Sequence, residues 1–375
     1  MQQVAQPWVI LALSNSSFWV GLDSFAMNAP VWIFTLWGGT LADRHNRRKI
    51  IFLFQAVQLL CVAILFTLLV LGLLKVWMIV LISFLIGTTD ALSMPSFQSI
   101  IPSLVSSKEI PRAVSLNSTQ FNLSRILGPM IAGIVIAHFG AVACFGANAI
   151  SYIPFFLSLY WISPKRGARF RAEPATAEQE FGNDNYLEIF RRLEVRTPLL
   201  TIFITSMLCS PLITFCPVLI KDIFHADAGE FGGALAAFGF GGLIGAAATF
   251  LPISSSFKLN KFSTTLAIFL GLIVVAVALN RSFIMLTALL LLAGAILTAS
   301  NIAANSFLQE TASNKVRGRV ASLFQLALHG GLSIGGFATG LTSAYFGIST
   351  ALAINGVLAL ALQSLVLWAQ PKKPA

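Results

Sequence analysis

The sequence predicts an all-α integral membrane protein, and three observations lead there. Of 375 residues, 57% are hydrophobic and only 10% charged, whereas a soluble globular chain carries roughly 25% charged residues. Apolar runs of about 20 residues, the length that crosses a hydrocarbon core of about 30 Å, recur along nearly the whole chain between short polar breaks. The runs are continuous rather than alternating. With no water in the bilayer, their backbone amides must therefore be satisfied within helices and not in a closed barrel.

In order, spans are expected near 17–41, 50–71, 76–99, 112–138 and 141–162 in the first half, and near 198–220, 231–251, 263–280, 283–304, 318–341 and 345–369 in the second. That is eleven full spans. Met1 to Leu13 is apolar but too short to span and lacks the basic opening of a signal peptide, so it is read as the remainder of a truncated first helix. Lysine and arginine give the orientation, because basic loops stay on the cytoplasmic side. If the loop at 42–49 is cytoplasmic, alternate loops should be basic too. Of the 24 Lys and Arg residues, all but Lys75, Arg125, Lys221 and Arg281 fall in those loops or the tail. This alternation puts the C-terminus on the cytoplasmic side of the membrane, which is expected to be a bacterial-type inner membrane. It also accounts for the net charge of +10 without nucleic acid.

The longest polar stretch, 163–197, is read as a cytoplasmic linker between an N-terminal bundle, 1–162, and a C-terminal bundle, 198–375. Tyr186 to Leu193 has helical apolar spacing beside Arg191 and Arg192 and suits an amphipathic helix on the inner leaflet. An internal repeat supports the division. Pro111-Arg-Ala-Val-Ser-Leu116 matches Gly318-Arg-Val-Ala-Ser-Leu323, and the same offset aligns Gly128 with Gly335, Gly133 with Gly340, and Phe139-Gly140 with Phe346-Gly347. A parallel repeat with a cavity between its halves is an architecture of secondary transporters.

Several function classes find no residues to carry them. Cys61, Cys144, Cys209 and Cys216 lie in apolar runs without paired spacing and read as small core residues. The sequence contains no Walker loop or HExxH pair, so neither an enzyme nor a cofactor or metal site is expected. A permease served by a separate ATPase stays open.

The most specific local signal is Gly39-Thr-Leu-Ala-Asp43-Arg44-His-Asn-Arg47-Arg48-Lys49. It resembles the G-x-x-x-D-R-x-G-R-R signature loop of the major facilitator superfamily, between spans two and three of the full count. Asn46 stands where glycine is usual, and asparagine tolerates a left-handed backbone, so a tight turn is expected to survive. The resemblance implies two parallel six-helix bundles and a gating role for Gly39, Asp43, Arg44, Arg47 and Arg48, with Asp43 facing the helix start at Gly318. A purely topogenic role for the basic residues stays open. Arg125-Ile-Leu-Gly128-Pro129-Met-Ile-Ala-Gly133 is similar to the G-x-x-x-G-P-x-x-G-G pattern of antiporter members, with Ser124 and Ala132 replacing two glycines. Helix packing alone also explains Gly128, Pro129, Gly133, Gly335 and Gly340. The whole chain resembles the subgroup of enterobactin exporters and other small-molecule efflux proteins. That implies proton-coupled efflux of an amphiphilic siderophore or drug-like molecule by a monomer working by alternating access. An importer of the same fold and an inactive fragment are the alternatives.

Asp23, Asp90 and Arg125 are ionisable residues inside spans, where each costs about 2.5 to 3.5 kcal/mol. Asp90 and Arg125 are expected to pair, as a lock, a proton-coupled switch or static neutralisation. Asp23, near the outer end of its span, is an interfacial residue or a proton site. Imidazole titrates near neutral pH, which makes His329 a further candidate. Gln6, Gln58 and Asn148 are among the amides that could bind substrate or cross-link helices.

Overall fold

The structure, a computed structural model, describes residues 2–106, 109–161, 190, 193–249, 256–312 and 317–370. The side chains of Asp43, Arg125 and some other helical residues lie outside that description, as does most of 163–192, including nearly all of the amphipathic helix expected at 186–193.

All regular structure among the described residues is helical. The first half contains α1 (Gln2–Ser14), α2 (Ser17–Arg44), α3 (Arg47–Val70), α4 (Val76–Leu104) and α5 (Ile110–Trp161). In the second half, α6 (Leu193–Ile204) runs on through a π-turn at Thr205–Cys209, short helices at Pro211–Thr214 and Cys216–Leu219, and a second π-turn at Ile220–Phe224. Helices α7 (Ala228–Ala248), α8 (Ser256–Leu279), α9 (Phe283–Thr311), α10 (Arg317–Phe346) and α11 (Ile348–Trp368) follow. The irregularity of α6 has a local cause. Pro211 and Pro217 have no backbone N–H and crowd the preceding turn, and the ladder widens so that Ser210 N bonds Thr205 O at 3.0 Å. Residues 193–197, assigned to the linker from sequence, are already helical.

Nine described stretches are long and apolar enough to cross a membrane. The expected count was eleven. Two features account for the difference: α2 carries Asp23, Asn28 and Pro30 within its apolar run and is not among the nine, and 127–161 counts once although Gly140 breaks it. The break is conformational. Gly140 sits at φ 76° and ψ 170°, and Gly347, its repeat partner, at φ 81° and ψ 157°, a region open to glycine and strained for other residues.

The two halves meet through glycine. α2 packs on α10 and the first arm of α5 on α7. Helices this close leave no room for a side chain: a Cβ on Gly340 would lie 2.7 Å from Gly21 Cα, and one on Gly21 would lie 2.7 Å from Gly336 O. In the matching seam, a Cβ on Gly232 would lie 2.8 Å from Ala137 N, and one on Gly133 2.7 Å from Ala236 N. Gly133 and Gly340 are repeat partners, so one contact occurs twice, related by the repeat. Gly335 is pressed against the Met207 backbone of α6, whereas Gly128 faces open space. These contacts lie toward the end of the molecule away from the basic loop at 44–49. At that same far end, Trp8 stacks on Phe231 with ring centroids 5.0 Å apart, and Lys221 Nζ donates to Leu11 O at 3.3 Å and to Asn15 Oδ1 at 2.8 Å. Both contacts join α1 to the second half.

Candidate functional site

A chain of buried polar side chains ties α1, α2, α4 and α5 together around Asp23. Gln6 Nε2 donates to both Asp23 carboxylate oxygens, at 2.9 and 2.8 Å, and lies 2.7 Å from Ser83 Oγ. Ser83 Oγ donates to Asp23 Oδ1 at 2.6 Å. Behind this group, Gln2 Nε2 donates to Gln6 Oε1 at 3.1 Å and Asn148 Nδ2 to Gln2 Oε1 at 2.8 Å. Asp23 is 6% exposed, packed beneath α1 and α4. Its hydrogen-bond partners are all neutral.

A second group lies two turns further along α4, about 10 Å at 1.5 Å per residue. Gln58 Nε2 donates to Asp90 Oδ1 at 2.6 Å and to Thr89 Oγ1 at 3.0 Å. Tyr152 OH donates to Gln58 Oε1 at 3.3 Å. Asp90 itself is exposed. The two groups share a frame, since Ser83 and Asp90 stand on α4 while Asn148 and Tyr152 stand one turn apart on the second arm of α5. The expected partner of Asp90, Arg125, has its side chain outside the described residues.

His329 joins the halves. Its Nδ1 lies 2.9 Å from Asn28 Oδ1. Asn28 Nδ2 is committed to Ser24 O at 2.8 Å, so Oδ1 accepts and the histidine Nδ1 carries the proton. One turn toward the far end, Ser24 Oγ donates to Leu332 O at 3.4 Å.

The signature loop folds differently from expectation. Asn46 is not left-handed: it has φ −68° and ψ 112° and caps α3, its Oδ1 accepting from Arg48 N at 3.0 Å and Lys49 N at 3.4 Å. The short polar side chain serves here as an acceptor for orphan helix amides rather than as a glycine substitute. Arg47 Nη1 donates to Ser99 O and Arg48 Nη2 to Tyr160 O, both at 3.0 Å. Both guanidiniums therefore reach carbonyls in the last turns of α4 and α5, where the helix dipole favours positive charge. Arg44 is exposed, and Gly39 faces open space. The glycine at close quarters is Gly38, where a Cβ would lie 2.7 Å from Ala91 O. Asp43 continues α2, its side chain outside the described residues. Ser83, Thr89 and Tyr152 were not singled out from sequence; hydroxyl side chains are common in apolar runs, and only the fold shows which of them meet a carboxylate or an amide. No group of three or more His, Cys, Asp or Glu able to hold a metal ion occurs among the described residues.

The model of one family, described as transmembrane secretion effector, matches residues 1–373. The staphyloferrin A transporter of Staphylococcus aureus is 24% identical over 363 residues, 95% of this chain and 88% of that protein. The multidrug efflux pump Tap of Mycolicibacterium fortuitum is 24% identical over 377 residues, covering 96% and 91%. The enterobactin exporter EntS of Salmonella typhimurium is 28% identical over 154 residues, 39% of this chain and 35% of that protein. Among solved structures, a nucleoside transporter NupG variant superposes with a TM-score of 0.74 at 12% identity, covering 99% and 95% of the two chains. A bacterial homolog of the human lysosomal transporter Spinster, inward-facing and unoccupied, superposes at 0.71 with 15% identity, covering 100% and 96%. The fold is that of major facilitator transporters.

Proposed function

This chain belongs to the transmembrane secretion effector family of major facilitator transporters, and from that premise we propose that it exports a small amphiphilic molecule, a siderophore or a drug-like compound, in exchange for protons. The observation that carries the proton half of this reading is Asp23. It is a carboxylate buried between three helices whose hydrogen-bond partners, Gln6 and Ser83, are neutral. In a bilayer such a group exchanges a proton more cheaply than it holds a charge. Asp90, two turns along the same helix, is the second station, with Arg125 as its partner in part of the cycle. The relatives named for staphyloferrin A, enterobactin and multiple drugs support the cargo class, and the efflux pump and the exporter among them support the outward direction.

In this reading the membrane-crossing helices form two parallel bundles that work as a monomer in a bacterial inner membrane, with the tail and the linker after residue 162 in the cytoplasm. The contacts at Gly21–Gly340, Gly133–Gly232 and Trp8–Phe231 close the outer end. Gly39 and Asp43 close against the start of α10 when the outer end opens. His329 reports on that exchange from the seam.

The test is accumulation of a catecholate siderophore and of cationic dyes in cells expressing the chain, with and without a protonophore. Lower accumulation, abolished by the protonophore and by Asp23→Asn, is the expected result. Protonophore-insensitive export would remove the coupling ion from the proposal, and energy-dependent uptake would reverse its direction.

A further inference from the structure

The edge of the first half where α3 meets the second arm of α5 takes no part in the glycine seams, and it presents charge and aromatic surface in a fixed order. Arg48, in the first turn of α3, donates through Nη2 to Tyr160 O at 3.0 Å, close to the end of α5. One turn inward on both helices, Phe52 and Phe156 pack edge to face with ring centroids 5.3 Å apart. The helices are antiparallel here, so the aromatic pair lies about 5 Å deeper than the arginine contact. The surface around both contacts is open. Lys49 is exposed, and so are Phe52, Tyr160 and Trp161, at 54%, 77% and 76%. Leu53 and Leu157, four residues inward from Lys49 and Trp161, are exposed as well.

The polar end of this edge is built for an anion. The Tyr160 carbonyl holds Arg48 in place but engages one guanidinium nitrogen and carries no charge, so the positive charge and the remaining donors of the fork are left over. Lys49 adds an ammonium beside it. Asn46 already caps the first amides of α3, so the cationic groups are side chains rather than a helix end. A guanidinium fork next to an ammonium matches the oxygens of a phosphate.

What lies deeper selects among phosphates. Tryptophan and tyrosine favour the headgroup level of a bilayer, and the headgroup layer outside the hydrocarbon core is about 5–7 Å thick on each side, close to the one-turn offset between the cations and the aromatic pair. A free phosphate would meet the cations and leave the aromatic surface unused. A phospholipid meets both, and basic sites between helices at the cytoplasmic face suit anionic headgroups. Phosphatidylethanolamine brings an ammonium that offsets its own phosphate. We infer that the α3–α5 edge binds an anionic phospholipid, its phosphate on Arg48 and Lys49 and an acyl chain along Phe52 and Leu53. The site is separate from Asp23 and Asp90, and it stands whatever the cargo and whichever way it moves.

The experiment is native mass spectrometry of the purified, delipidated full chain in a neutral detergent, titrated with dioleoylphosphatidylglycerol or dioleoylphosphatidylethanolamine. At about fivefold per basic residue, the phosphatidylglycerol is expected to bind about twentyfold more tightly. Arg48→Gln together with Lys49→Gln should abolish that preference. Lys75→Gln together with Arg281→Gln removes two charges from the opposite end and should leave it intact. If the Arg48 and Lys49 double variant does not fold, Lys49→Gln alone, at an exposed side chain, should weaken phosphatidylglycerol binding about fivefold. Equal binding of the two lipids, a preference that survives loss of the basic pair, or an equal loss in the Lys75 and Arg281 variant would overturn the assignment. Displacement of the bound lipid by equimolar glycerol 1-phosphate would overturn it too, in favour of a free-phosphate site.

Discussion

Asp23 and Asn46 show how much a single side chain's partners decide. Gln6→Leu leaves Asp23 with Ser83 alone, and a buried acceptor that loses a donor costs about 1–3 kcal/mol; the expected outcome is a lower thermal midpoint with export still coupled. Asp23→Asn is expected to do the reverse, keeping the fold and ending protonophore-sensitive export, as measured in everted vesicles under an imposed pH gradient. Asn46→Ala removes the cap of α3 and should cost about 1 kcal/mol, visible in the midpoint, with Asn46→Ser restoring most of it. At this scale the sequence was partly legible. A carboxylate in an apolar run announces itself by its transfer cost, and so Asp23 and Asp90 could be named. Nothing in linear order says that Gln6 and Ser83 converge on one of them and Gln58 on the other. Gln363, whose Nε2 donates to Thr201 O and Thr205 Oγ1, was missed for a related reason, since it shows up only as an isolated polar residue until the helices are packed around it.

Among the elements, the glycine seams separate residues that matter for approach from those that matter for backbone angle. Gly340→Val and Gly133→Val place side chains where the opposing backbone already lies within 3 Å. Each is expected to lower the midpoint and speed hydrogen–deuterium exchange on α2 or α7. Gly128→Ala faces open space and should be neutral to stabilising by up to about 1 kcal/mol, the helix-propensity gain. Gly140→Ala and Gly347→Ala also meet no neighbour, yet both are expected to destabilise, because their φ of 76° and 81° suits glycine alone. Helix positions were legible from apolar runs, and the repeat alignment of Phe139-Gly140 with Phe346-Gly347 marked two turns that the fold builds alike. The π-turns of α6 were not legible. Pro211 and Pro217 signal a disturbed ladder, but whether the helix kinks, ends or widens depends on what packs against it.

Over the whole molecule, α1 takes part in two of the contacts that join the halves at the end away from the basic loop. Lys221 draws the C-terminal carbonyl and turn of α1 to the second half, while Trp8 stacks across to Phe231. Lys221→Met combined with Trp8→Ala should therefore loosen that end alone: exchange is expected to rise on α1 and at 221–231 and to stay unchanged at 47–60. Uniformly faster exchange would mean general unfolding instead. The four cysteines, at 6%, 0%, 2% and 0% exposed, add a practical advantage. Sealed inside the packing, they are expected to stay unlabelled by thiol reagents, so that spin labels or fluorophores attached at chosen surface positions of the otherwise native chain can follow the distance between its halves through the cycle without first rebuilding the core.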